Sequence, residues 1–317
     1  DLSPLKGLTQ LTSLDLSVCR AITDLTPLEG LTSLNKLNFE DCKSLTDLSP
    51  LKGLINLTDL DLGSCKSLTE LSPLKGLTQL KRLNLSGCDA VTDLSGLQGL
   101  TQLNKLRLTG CNPFANLSPL WKLTNLTNFQ LEDHQLTDLT GIKEFKRLKH
   151  FSSSDCESLT DLSPLEGLTQ LTSLDLRKCS SLTDLTALKD LDALEYLNIT
   201  GCNELNEPHL WWPLEQLPRL QQLKSNLPAW FATRTLARAA IGRSDTEAAA
   251  ENIDDWLEAA NGRPEAEGLL AAVGACAALL APEETGLSAL QQCLKLARLH
   301  DAKDVAGLYE AALPLAA

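Results

Sequence analysis

The chain has 317 residues, 43% of them hydrophobic but only 4% aromatic, so its apolar mass is mostly leucine and alanine. A formal net charge of −13 argues against a general nucleic-acid binder and against a grip on anionic lipid. No apolar run reaches the roughly 18 residues of a membrane span, and the longest, GLLAAVGACAALLA at 268–281, reads as a buried helix. The chain opens in mid-motif, because DLSPLKGL at 1–8 is repeated at 47–54, and it contains no methionine. The expectation is a piece of a longer protein.

Cysteines fall at 19, 42, 65, 88 and 111, each 23 residues after the last. His134 follows at the same interval, then Cys156 after 22, and Cys179 and Cys202 after 23 each. The unit reads L-x-x-L-x-L-x-x-C-x-x-L-T-D-L-S-P-L-x-G-L-x-x, as in Leu57, Leu60, Leu62, Cys65 and Leu68. Its L-x-L alternation predicts a short strand with one buried face. Ser49-Pro50, Ser72-Pro73, Ser118-Pro119 and Ser163-Pro164 read as a serine N-cap followed by proline at the first helical position. A short helical turn is expected there, closed by a glycine such as Gly53 or Gly76. One unit cannot bury its own leucines, but stacked units share a continuous core.

Over residues 1–224, about ten units, this pattern resembles the leucine-rich repeat family, with cysteine where the family has asparagine or cysteine. The T-D-L-S-P-L segment is similar to bacterial members, internalin-like ones included. The resemblance implies an α/β solenoid, a horseshoe with a parallel sheet on its concave side and short helical turns on its convex side. The cysteines would then form a ladder at spacings of ~4.8 Å. A metal site or disulfides are the functional reading, but parallel side-chain vectors suit neither. Buried, weakly donating thiols are the preferred reading, with no metal and no cofactor. Free thiols point to a reducing compartment, hence the cytoplasm.

On the strands, the residues between the leucines face out from the concave side. They vary while the framework stays constant, and a protein partner is expected on them. The candidate binding residues are Lys36, then Asp59 and Asp61 as an acidic spot, then Arg82, Lys105 and Arg107 as a basic spot with Lys81 at its edge. Beyond these come Asn128 and Gln130, His150 and Ser152, Asp175 and Arg177, and Tyr196. An arginine at the centre of such a face suits a binding hot spot.

The middle of the array departs from its own pattern. NPFANL at 112–117 replaces the Thr-Asp turn, and Ser153 stands where an inward leucine belongs. GIKEFKRLKH at 141–150 is a basic substitute for the S-P-L-x-G-L turn. His134 occupies the cysteine slot, where it is expected to point inward and hydrogen-bond the turn backbone, as asparagine does across the family. In the family such irregular repeats often carry ligand contacts.

After Cys202 the rhythm fails, and NEPHLWWPLEQLPRLQQL at 206–223 is expected to end the solenoid. Residues 225–317 carry seven Lys and Arg against thirteen Asp and Glu and read as a small all-α domain. Helices are expected near 229–242, 245–261, 264–281, 283–300 and 302–313, with Ser244 or Asp245 capping the second. Trp230, Trp256, Cys276 and Cys293 read as core residues of that domain.

G-x-x-x-x-G-K-[ST], H-E-x-x-H and G-x-S-x-G are all missing, so no catalytic residue is expected in this chain. The preferred reading is the partner-sensing arm of a larger cytoplasmic bacterial protein, similar to NOD-like or STAND-type defence sensors. Its partner would be a protein, with an intramolecular contact to upstream domains as a further expectation, and without nucleic acid or membrane. The alternatives are the substrate-recruiting region of an effector or protease whose catalytic domain lies elsewhere, and a secreted internalin-like adhesin.

Overall fold

The computed structural model describes residues 1–111, 114, 116–132, 136–137, 139–206 and 210–227, with 232, 235, 236 and 239 beyond them. Those four positions apart, the expected C-terminal helices lie outside the described residues, as do Trp230, Trp256, Cys276, Cys293 and His134. Ten strands form one parallel sheet in strict chain order. They are β1 (Ser13–Asp15), β2 (Lys36–Asn38), β3 (Asp59–Asp61), β4 (Arg82–Asn84), β5 (Lys105–Leu108), β6 (Asn128–Glu132), β7 (His150–Ser154), β8 (Ser173–Asp175), β9 (Tyr196–Ile199) and β10 (Gln222–Ser225). The chain folds as a leucine-rich-repeat solenoid.

The sequence period is the sheet register. Asp59 pairs with Arg82 and Leu60 with Leu83, each 23 residues on. The missing residue after position 134 shortens the step between β6 and β7, so that Asn128 pairs with His150. Residues 206–221 lengthen the last step, and Tyr196 pairs with Gln222. The central leucine or phenylalanine of β2 through β9 points inward and is at most 2% exposed. With the leucines of the turns, these residues form one continuous core from Leu2 to Leu220.

Eight of the described strands, β1 to β5 and β7 to β9, leave the sheet through a residue in the left-handed region immediately before the cysteine slot. Val18, Asp41, Ser64, Asp155 and Lys178 take it at φ between 55° and 62°, and Gly87, Gly110 and Gly201 at φ between 63° and 82°. The reason is hydrogen bonding. In this conformation the N–H of Asp41 reaches the carbonyl of Gly63 at 2.7 Å, and that of Ser64 reaches Ser86 at 2.6 Å, so the ladder continues past the strand end. At the turn after β9 the Gly201 N–H donates to the side-chain Oδ1 of Asn226 at 3.0 Å, where the earlier turns meet a backbone carbonyl.

The convex side carries short 3₁₀ turns such as Ser49–Gly53 and Ser72–Gly76, with proline at their start. The expected serine N-cap is corrected. Leu48 and Leu71 are the N-cap residues, and neither turn has a side-chain cap of the expected kind. The acceptor is instead the Asp two residues before the serine. Asp47 Oδ1 accepts the Ser49 N–H at 2.8 Å, and Asp93 and Asp161 repeat this with Ser95 and Ser163. Asp24 and Asp184 do the same for Thr26 and Thr186. The 3₁₀ turn begins one residue earlier than the helical turn read from the Ser-Pro pair, so the serine is already inside it and its side chain is misplaced for capping.

These bonds make the turns sensitive to acid. Hydrogen bonds from Thr26, Ser49, Ser95 and Thr186 hold the carboxyls of Asp24, Asp47, Asp93 and Asp184 below their ordinary value of 3.8. A depressed folded-state value stabilises above the unfolded value, and that contribution disappears as pH falls through the folded one. The expected thermal midpoint is level from pH 7 to about 5 and falls steeply below about 4. Replacing these four Asp by Asn should flatten that acid limb and leave the neutral midpoint little changed, since Asn116 Oδ1 already serves Ser118 at 2.8 Å. Thermal melts across pH check this.

Candidate protein-binding face

The outward strand residues form columns down the concave face. The first column holds Lys36, Asp59, Arg82, Lys105, Asn128, His150 and Tyr196, and the second holds Asp61, Arg107, Gln130, Ser152 and Asp175 at the next outward position. All of the candidate residues read from the sequence therefore lie on this one face, except Arg177, which stands two residues past the end of β8. They are not equally available.

In six repeats the second column is Asp or Asn, and its side-chain oxygen accepts the N–H two residues on. Asp15 takes Ser17, Asn38 takes Glu40, Asp61 takes Gly63, Asn84 takes Ser86, Asp175 takes Arg177 and Asn198 takes Thr200, at 2.8–3.1 Å. The types alternate so that an amide sits beside each carboxylate. Asn38 Nδ2 donates to Asp15 at 3.2 Å and Asn84 Nδ2 to Asp61 at 3.0 Å, which avoids like charges on adjacent strands. Asp61 and Asp175 are thus occupied by the turn that ends their own strands. The sequence reading missed this role, although the series Asp15, Asn38, Asp61, Asn84 was visible in it.

The separate acidic and basic spots are also corrected. Arg82 Nε is ion-paired with Asp59 on the neighbouring strand. Burial pushes the Asp59 carboxyl up, but the hydrogen bonds from Arg82 and Thr58 outweigh it and hold the group below its ordinary value. Arg177 lies 3.7 Å from Asp175, and half-buried Tyr196 carries Lys224 Nζ at 5.7 Å from its ring centroid. Among the described residues Lys36, Lys105 and Arg107 are exposed and form no ion pair. Gln130 and Ser152 are half-buried and His150 is exposed.

A groove of about 460 Å³ runs over β1 to β5, floored by Leu37, Leu60 and Leu83 and walled by Lys36, Asp59, Arg82, Lys105 and Arg107. Beneath β6 and β7 the core changes character. Phe129 stacks on Phe151 at 5.7 Å and meets Phe145 edge-on at 5.9 Å, and Trp121 extends the cluster to Phe145 at 5.8 Å. Ser153 in the leucine slot is fully buried, with its hydroxyl 3.1 Å from Cys156 Sγ.

The cysteine slot is a hydrogen-bonded ladder. Cys42, Cys65, Cys88, Cys111, Cys179 and Cys202 each donate to the carbonyl 26 residues before, at 3.1–3.3 Å. All eight described cysteines are free thiols. Burial pushes Cys65 up to about 12 and Cys111 and Cys202 to about 11, so these thiols stay protonated and poorly nucleophilic at neutral pH. Among the described residues no cluster of His, Cys, Asp or Glu could hold a metal, and no helix is long and apolar enough to cross a membrane.

Two family models match the chain. Leucine-rich repeats of the kind in RPS2-like plant disease resistance proteins match residues 47–180, and a model of two leucine-rich repeats matches residues 9–53. The chain is a leucine-rich-repeat protein, of a fold that serves protein–protein interaction. Among solved structures it is similar to an internalin, InlF, from Listeria monocytogenes. The two share 30% identity at a TM-score of 0.64, over 73% of this chain and 66% of that one. The alignment therefore spans just under two thirds of that protein's length. Internalin C2 from the same organism shares 29% identity at a TM-score of 0.54, over 61% of this chain and 82% of that one. The functional domain of Listeria monocytogenes InlJ, described as including a cysteine ladder, is 21% identical over 71% of this chain and 66% of that one, at a TM-score of 0.38. Comparison with curated proteins gave no match.

Proposed function

We propose that this chain recognises a protein through the concave face of its sheet, as the non-catalytic recognition module of a larger protein. The observation that carries this reading is the groove over β1 to β5, where varied polar side chains stand on an unvarying leucine floor. Solenoid concavities of this kind suit extended binding surfaces. Within that reading the chain is the sensing arm of a cytoplasmic NOD-like or STAND-type defence protein. The match to disease-resistance repeats over 47–180 supports it, as does a row of free thiols suited to a reducing compartment. A second reading, a secreted internalin-like adhesin, is favoured by the 30% identity with InlF.

The test places a photo-crosslinking amino acid at Asn128 or Ser152 on the concave face, and at the exposed Lys52 or Lys75 on the convex turns, in cells that make the whole protein. One common protein adduct from the concave positions alone is expected. Adducts from the convex positions alone, or none from the concave ones, would refute the reading. Protease added to intact cells separates the two contexts, since digestion supports the adhesin and protection the cytoplasmic sensor.

A further inference from the structure

We infer that Lys105 and Arg107 form a two-point clamp for a protein segment carrying acidic side chains at alternate positions, laid in extended form along β5. The inference rests on the concave-face reading above and gives the partner a chemistry.

The argument begins with the second column. Where that column is Asp or Asn, its side chain is tied to the turn N–H two residues on, as at Asp61 and Asn84. In β5, β6 and β7 the column changes to Arg107, Gln130 and Ser152. The structural duty lapses at the three repeats where the array stops copying itself. Side chains there are free to face a partner.

Charge points the same way. Arg20, Lys43, Lys66, Arg82, Arg177 and Lys178 each have a carboxylate within 4.0 Å inside the chain. Lys105 and Arg107 have none among the described residues, in a molecule of net charge −13. The acids in the same rows of the sheet, Asp59 and Asp61, lie two strands away and are engaged by Arg82 and Asn84. On β6 the directly paired neighbours are Asn128 and Gln130, neutral amides, and Glu132 stands one outward position further along. Both cations are exposed, so each can reach a partner without moving the backbone.

Geometry then selects the ligand. Alternate residues of a strand on one face are roughly 6.6 Å apart, and those of an extended peptide share that spacing. Glu or Asp at positions i and i+2 therefore meets both cations at once, and an adjacent pair cannot, because its side chains point to opposite faces. Arginine takes a carboxylate in bidentate fashion, which fixes the register of the segment.

The experiment uses the full chain and two fluorescent peptides of equal charge, Gly-Ser-Glu-Ser-Glu-Ser-Gly and Gly-Ser-Glu-Glu-Ser-Ser-Gly, followed by anisotropy at low salt. At least tenfold tighter binding of the alternating peptide is expected. The double substitution Lys105→Gln/Arg107→Gln should abolish that preference, while Lys52→Gln on a convex turn leaves it in place. Both sites are exposed, and circular dichroism verifies that the variants stay folded. Equal affinity for the two peptides, a preference that survives the double substitution, or no saturable binding of either would overturn the inference. Concave crosslinks without any acid preference would remove only this inference, whereas their absence would remove both readings.

Discussion

Replacing Phe129 by alanine is expected to lower the unfolding free energy by about 3–5 kcal/mol. The side chain is fully buried and touches two other rings, stacked on Phe151 at 5.7 Å and edge-on to Phe145 at 5.9 Å. Its removal leaves a void between β6 and β7, next to the place where Ser153 already reduces the apolar volume. Surrounding repeats cannot close that void, because each is held in register by ladder bonds to both neighbours. A solenoid's stability is a sum of repeat and nearest-neighbour terms. The damage should therefore be local, and urea denaturation should broaden or split as the array uncouples between β5 and β8. A single sharp transition with less than about 1 kcal/mol lost would mean that the aromatic cluster does not join the two halves.

The second large effect is expected at Gly96. A Cβ there would lie 2.2 Å from the carbonyl oxygen of Leu71 and 2.4 Å from its carbon, and both are backbone atoms that have no rotamer to change. Gly96→Ala should cost about 3 kcal/mol through displacement of its 3₁₀ turn from the one before it. The adjacent repeats hold Pro73 and Pro119 in the same slot, and at Gly141, the next glycine in it, the close neighbour is the Trp121 ring and not backbone. Gly99→Ala is the control, since its nearest neighbour is a carbonyl oxygen at 3.3 Å, a distance that a small shift absorbs. Chemical denaturation of both variants measures the difference, and equal losses would show that the turns can slide.

Much of this was legible in the sequence because the period along the chain is the period in space. Once cysteine recurs every 23 residues, residue 59 must lie beside residue 82, and the inward leucines, the ladder and the outward candidate face all follow. The Asp59–Arg82 pair could have been read from that register. Charge type alone assigns the two residues to separate spots, and only the register brings them together. The serine cap was misread for another reason. Ser-Pro looks the same before an α-helix and before a 3₁₀ turn, and only the length of the turn decides which oxygen reaches the first N–H.

What the sequence by itself determined is the solenoid: its repeat length, its buried leucines, and the face on which its variation is displayed. These depend on periodicity and on hydrophobic burial, which act through residue type and spacing alone. What only the tertiary structure decided is which displayed residues are free. Asp61 and Asp175 look as available as Arg107 in the sequence, yet they are held by turn N–H groups, while Arg107 has no acceptor among the described residues. A hydrogen bond depends on the distance and direction of two particular atoms within a few tenths of an ångström. Residue spacing does not carry that information, and it appears only when the strand and its turn are built together.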